Sequence, residues 1–212
     1  DQDDPFVLLL ERCTPGERLV DRDDLDPEHR LRIAGGLLPE LWHAGVPTSS
    51  PFERLVDVCD EWADLVEERM RVHRPPLDAG VVRRGVALLR ELPRTAGTTV
   101  VLHGDYNPGN VLTATREPWL VIDPKPMAGD PAYDLCPLLM QVDDPFALRE
   151  VDGVLRDRTA LLAEVSGESV PRILAWCVAR HTEWALWSVS RSEPADAEDS
   201  VRRAARMLDL LD

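Results

Sequence analysis

The hydrophobic period of this chain switches and then switches back, and that double change limits the folds open to it. Over residues 51–73, Leu55, Val58, Cys59, Trp62, Leu65, Val66 and Met70 recur at the spacing of one helical face, with Glu, Asp and Arg opposite. After Pro93 the runs "TTVVLH", "NVLTA" and "WLVID" are short, rich in β-branched residues and separated by turn residues. From Tyr133 onward the helical pattern returns. Three short strands between helical stretches make a small ribbon rather than a large sheet. The expected fold class is α+β, helix-dominated, with that ribbon as its only β structure besides one early strand.

Helices are expected over residues 28–43, 51–73, 78–92, 133–141, 145–165, 169–191 and 195–211, punctuated by Pro145, Gly167, Pro171 and Pro194. Asp26-Pro27 supplies an N-cap and a first-turn proline for the first of them, although Gly35 and Gly36 weaken its signal. "FVLLL", residues 6–10, reads as a buried strand ended by the Pro15-Gly16 turn.

The 44% apolar content supports a buried core, but the longest apolar runs are only a few residues, so neither a membrane span nor a secretory signal is read. The expected location is cytoplasmic. Four cysteines and five histidines lie scattered without zinc-ligand spacing, which favours reduced thiols. A formal charge of -15 disfavours nucleic acid and favours cationic ligands and metal ions. Of the 24 Lys plus Arg, only Lys125 is lysine.

The oxygens of "VLHGDYNPGNVL" and "VIDPK" suggest chemistry. Asp105, in the turn after an apolar run, can take a proton from a substrate hydroxyl, while Asn110 and Asp123 offer oxygens to a hard cation. Mg²⁺ suits an oxygen-only, partly filled set, because it completes its shell with water and nucleotide phosphates; this points to phosphoryl transfer. Taken singly, such residues are ordinary turn formers. Their joint spacing on a strand, loop, strand pattern is what carries weight.

His103, Asp105, Asn110 and Asp123 match the kinase pattern H-x-D-x-x-x-x-N with a metal-binding Asp on the strand that follows. With Gly104 after the His and "IDP" in place of D-F-G, the sequence resembles the aminoglycoside phosphotransferases. "VIDPKPMAGDPAYDL" is similar to their streptomycin and hydroxyurea phosphotransferase branch. The resemblance is dense over residues 98–140, extends to residues 6–20, and is only thematic in the remaining helices. It implies a protein-kinase-like fold, ATP and Mg²⁺ as cofactors, Asp105 as the catalytic residue, and Asn110 and Asp123 as metal ligands. It further implies a structural His103, with Asp130 and Asp134 as scaffolding and Asp134 placed to cap the next helix.

A kinase-like enzyme also needs a glycine-rich loop and a lysine from an N-terminal lobe. The ten residues before Glu11 contain neither, and Lys125 follows the metal Asp. Residues 1–20 are therefore expected to be the last strand of that lobe and the hinge. The Glu11 C=O and Cys13 N–H would then be adenine contacts. Residues 21–212 would form the C-terminal lobe, with the catalytic loop at 103–110 and the metal loop at 121–134. The expected function is phosphorylation of a small, cationic, hydroxylated acceptor such as streptomycin, with the 212-residue piece alone inactive. A different acceptor (hydroxyurea, a choline-like amine, an amino sugar) and a silent binding module remain alternatives. In the tail, Trp176, Trp184 and Trp187 share a helical face whose expected use is core packing, while His181 and Glu183 could face the acceptor.

Overall fold

The computed structural model describes residues 11–211. The strand read over residues 6–10 lies outside the described residues. Helices dominate: α1 Pro27–His43, α2 Leu55–His73, α3 Ala79–Glu91, α4 Leu135–Gln141, α5 Val151–Ser166, α6 Val170–Ser190 and α7 Pro194–Asp209. Between them lie the short strands β1 Glu53–Arg54, β2 Val100–Leu102, β3 Val111–Thr113, β4 Trp119–Val121 and β5 Met127–Gly129.

α6 is the spine. Its run Ile173–Ala179 is buried without interruption, and the helix packs on α2, α3, α4, α5 and α7. Trp176 is fully buried there, with Tyr133 edge-on to its ring at 5.3 Å. Full burial of each such apolar side chain contributes about 1.5–3 kcal/mol. α1 starts as its sequence demands: Pro27 occupies the first turn, and the Asp26 carboxylate accepts from His29 N–H at 2.8 Å. Gly35 interrupts the helix pattern for a packing reason. A Cβ there would lie 2.6 Å from Val165 Cγ2, so the small residue lets α5 approach α1 closely.

Two expected boundaries shift. The helix anticipated from residue 51 begins at Leu55, because Glu53 and Arg54 pair in parallel with Met127 and Ala128 of β5. The helix anticipated from residue 145 begins as a single turn, Pro145–Ala147, and restarts as α5 at Val151.

The β structure is also divided differently. β3 and β4 form an antiparallel ribbon in the register Val111↔Val121 and Thr113↔Trp119. β2 leaves that ribbon and pairs antiparallel with β5, the middle strand of a sheet ordered β1-β5-β2. The single ribbon expected from the sequence is thus two small sheets. The missed strand β5 is paired on both sides, so long-range partners rather than local alternation define it.

Candidate active site

β2 ends at Leu102 and delivers the chain into a tight turn through His103, Gly104 and Asp105. Gly104 adopts φ +81°, and a Cβ there would collide with the Lys125 carbonyl oxygen, so the turn requires glycine. Lys125 N–H donates to the His103 carbonyl at 2.7 Å and fastens the segment after β4 to this turn. From the other side the Asp134 carboxylate accepts the N–H groups of His103 and Gly104, both at 2.9 Å, and Trp42 Nε1–H at 3.3 Å. Burial pushes the Asp134 carboxyl above the usual carboxylate range, against the pull of these donors.

Asp134 stands at the N-terminus of α4 but makes no capping bond to it. Its oxygens serve the loop instead. The neighbouring cap belongs to Asp130, which accepts from Ala132 N–H at 3.2 Å, pairs with Arg172 at 2.7 Å and accepts Trp176 Nε1–H at 2.6 Å. Both aspartates are buried and hold backbone and side chains in place.

The ring of His103 has one tautomer consistent with its partners. Asp105 N–H lies 3.2 Å from Nδ1, and an amide can only donate, so Nδ1 accepts and the proton sits on Nε2. That Nε2 donates to the Ile122 carbonyl at 2.9 Å. His103 therefore staples the turn to the segment between β4 and Asp123, in the structural role expected of it. Tyr106 is buried beneath the loop and donates its hydroxyl to the Ala34 carbonyl at 2.7 Å.

Asp105 keeps 34% of its side chain open to solvent, and its Oδ2 lies 2.5 Å from Lys125 Nζ. That bond holds the Asp105 carboxyl below the ordinary carboxylate range in spite of partial burial. The only lysine of the sequence thus stands at the proposed base, a placement that sequence reasoning missed. The available signals were its singularity and its two-residue step from Asp123.

Asn110 Nδ2 donates to the Asp105 carbonyl at 2.9 Å, and this fixes the amide with Oδ1 left as an acceptor. Ile122 N–H donates to the Asn110 carbonyl at 2.9 Å, extending the β3–β4 pairing one step and bringing Asn110 and Asp123 to the same end of the ribbon. Asp123 takes φ +56°, a conformation uncommon outside glycine, and makes no side-chain hydrogen bond among the described residues. Its carboxylate and Asn110 Oδ1 are oxygens of the type a hard cation takes. Among the described residues no cluster of three or more His, Cys, Asp or Glu forms a closed metal cage. Such a pair suits Mg²⁺, which draws the rest of its shell from phosphates and water.

The segment after Cys13 runs along the free edge of β3. Gly16 N–H donates to the Thr113 carbonyl at 3.0 Å, and Thr113 N–H to the Glu17 carbonyl at 2.9 Å. Glu11 pairs with Arg116 at 2.9 Å, and Cys13 is half-buried. Glu11 and Cys13 thus lie beside the ribbon whose far end carries Asn110 and Asp123.

Two cavities, of about 490 and 550 Å³, adjoin Asp105, and Gly104, Asp105 and Arg180 line both. In the first, Asp105, Asp196 and Asp199 face Arg180 and Arg203; in the second, Glu53 and Asp105 face Arg180 and Lys125. The cleft is close to charge balance even though the chain carries -15, so the overall charge is a poor guide to the site. The tryptophan stripe divides in the same region. Trp176 packs in the core as expected, whereas Trp184 is 48% exposed, lines the first cavity, and leans on Trp187 with ring centroids 4.8 Å apart. Of the two candidates on the same helix, His181 lines that cavity, while Glu183 pairs with Arg180 at 3.5 Å.

A helical body with a short strand, a tight Asp-bearing loop and a two-stranded ribbon is the fold of the kinase-like small-molecule phosphotransferases. The choline kinase LicA from Streptococcus pneumoniae superposes over 94% of this chain and 69% of its own, with a TM-score of 0.60 and 17% identity. The complex of LicA with AMP superposes at a TM-score of 0.57. The family model for aminoglycoside/hydroxyurea antibiotic resistance kinases matches residues 1–191, and the chain belongs to that family. Streptomycin 6-kinase from Streptomyces glaucescens is 35% identical over 190 residues, covering 89% of this chain and 60% of its own length. Hydroxyurea phosphotransferase from Kitasatospora aureofaciens is 34% identical over 205 residues, covering 95% of this chain and 56% of its own. The chain therefore spans about 60% of the length of the curated relatives it matches. No helix among the described residues is long and apolar enough to cross a membrane.

Proposed function

We propose that the protein bearing this chain is an ATP- and Mg²⁺-dependent O-phosphotransferase whose acceptor is streptomycin or a similar cationic, hydroxylated small molecule. The observation that carries the reading is the placement of Asp105: an ionised carboxylate, on a loop clamped from two sides, where two cavities meet. Asp105 receives the acceptor hydroxyl, aligns its lone pair with the γ-phosphorus and accepts its proton as the new O–P bond forms and the bond from the γ-phosphorus to the β-phosphate oxygen breaks, releasing ADP. Asn110 and Asp123 would hold the metal, which when bound would balance the negative charge of the nucleotide phosphates. Lys125 steadies Asp105 until the acceptor arrives. His103 and Asp134 keep the loop from drifting, since a small displacement of the base costs rate steeply.

Of the 1–20 segment, the described residues 11–20 are assigned to the hinge, with the Glu11 carbonyl and Cys13 amide facing adenine. Residues 21–212 are assigned to the C-terminal lobe. Hydroxyurea is the second reading, favoured by the 34% identity to hydroxyurea phosphotransferase and by the near balance of charge in the cleft.

The test is transfer of phosphate from ATP by the full-length protein across streptomycin, hydroxyurea and choline, followed as a gain in acceptor mass. Asp105→Asn should lower turnover by about 10³-fold or more while ATP binding changes little. Undiminished turnover in that variant would remove Asp105 from the mechanism. Transfer to none of the three acceptors would leave the enzyme reading without support.

A further inference from the structure

Arg180 and His181, neighbours on α6, both line the 490 Å³ cavity, and each has one buried side-chain nitrogen with no hydrogen-bond partner: Nη1 of Arg180 and Nε2 of His181. Arg180 packs on two aromatic rings. Its guanidinium lies 4.6 Å above the centroid of Trp62 and 5.2 Å from that of Tyr133. Glu183 approaches Nη1 only to 3.5 Å, close enough for charge pairing but long for a hydrogen bond. His181 is kept neutral at pH 7, because burial and then the charges of Arg203 and Arg180 lower its pKa to about 4. Most buried polar atoms in folded proteins are satisfied, so two unpaired nitrogens on residues that line the cavity beside Asp105 point to a ligand that completes the bonding.

We infer that Arg180 and His181 form an oxygen-binding subsite for the acceptor, which takes a hydroxyl or carbonyl oxygen carried next to the hydroxyl that meets Asp105. The inference rests on the phosphotransferase reading above and sharpens it to a substrate class. Arg180 Nη1 donates to that second oxygen, and the stacked guanidinium fixes the direction of approach. His181 Nε2 bonds to the same oxygen-bearing group. Asp196, which lines the same cavity, is left for a cationic arm, while Asp199 is already tied to Arg202 and Arg203. An acceptor with a single hydroxyl on an alkyl amine leaves both nitrogens unpaired and is discriminated against.

The experiment compares full-length wild type with Arg180→Lys, which keeps the charge but not the flat fork, and with His181→Asn. Streptomycin, hydroxyurea and choline serve as acceptors, and thermal melts verify that the variants are folded. Both variants should raise the KM for streptomycin by roughly 10–100-fold, with the KM for ATP unchanged, and wild type should use choline far less well than streptomycin. An acceptor KM within twofold of wild type in both variants overturns the subsite, as does a rise in the KM for ATP instead, or choline used as efficiently as streptomycin. Calorimetric binding of streptomycin without nucleotide separates this inference from the enzyme reading. If no phosphate is transferred but wild type binds streptomycin at least tenfold more tightly than both variants, the subsite stands alone; equal affinity, or no binding by wild type, ends it.

Discussion

The Asp134 carboxylate reaches across thirty residues of sequence to hold Gly104 N–H at 2.9 Å, so the position of the proposed base depends on a side chain that never meets the substrate. Asp134→Ala removes the acceptor for one buried and one part-buried backbone amide and for an indole N–H. About 3 kcal/mol of stability should be lost, and turnover should fall at least 100-fold with Asp105 intact. Urea unfolding and steady-state kinetics on one preparation read both effects, and a variant of unchanged stability would show that the clamp is dispensable.

Gly104 tests the same turn from within. Alanine there must adopt a left-handed backbone, at about 1–2 kcal/mol, and also push the Lys125 carbonyl aside. Helix content measured by circular dichroism should be unchanged while turnover drops by two orders of magnitude or more. Activity within tenfold of wild type would mean that the loop can be rebuilt without harm.

Asp130 and Arg172 form an ion pair in which the carboxylate is 1% and the guanidinium 20% exposed. Removing either partner strands a buried charge, at a cost of about 3–5 kcal/mol. The double variant Asp130→Asn with Arg172→Met should cost clearly less than the sum of the singles. Strict additivity in chemical unfolding would contradict the pairing.

His181 makes stability fall with acid. Its pKa is lowered from 6.5 to about 4 in the folded state, so the unfolded chain binds a proton across that window and the folded chain does not. The contribution is fully present above pH 6.5 and is lost as the pH falls toward 4, amounting to about 3 kcal/mol at most. A series of urea melts between pH 7 and 4 should show this slope in wild type and a shallower one in His181→Asn.

Helices were legible wherever one face alone is buried. Leu55, Cys59 and Val66 of α2 announce themselves by spacing, and Asp26-Pro27 marks the start of α1. Gly35 weakened that signal because its reason, the close approach of Val165, lies about 130 residues away in sequence. β1 and β5 were illegible for a related cause: two- and three-residue strands have no period of their own and exist through each other. At the site, Asp105, Asn110 and Asp123 could be chosen from spacing because one turn and one ribbon carry them. Asp134 gave a misleading local cue, since a carboxylate before a helix looks like a cap, and only the fold reveals the better donors at His103 and Gly104. Arg180 carries no sequence signal, because nothing local distinguishes an arginine stacked on Trp62 from the many others in this sequence.

With every other cation in these 212 residues an arginine, an amine-reactive ester has one side-chain target here, and that target touches the proposed base. While Asp105 bonds to it, the Lys125 ammonium is held in its protonated, unreactive form. Whatever draws Asp105 away returns the amine's pKa toward the ordinary lysine value and speeds its acylation. The labelling rate of the peptide that contains Lys125 is therefore a built-in gauge of whether Asp105 is engaged, readable by mass spectrometry without any turnover.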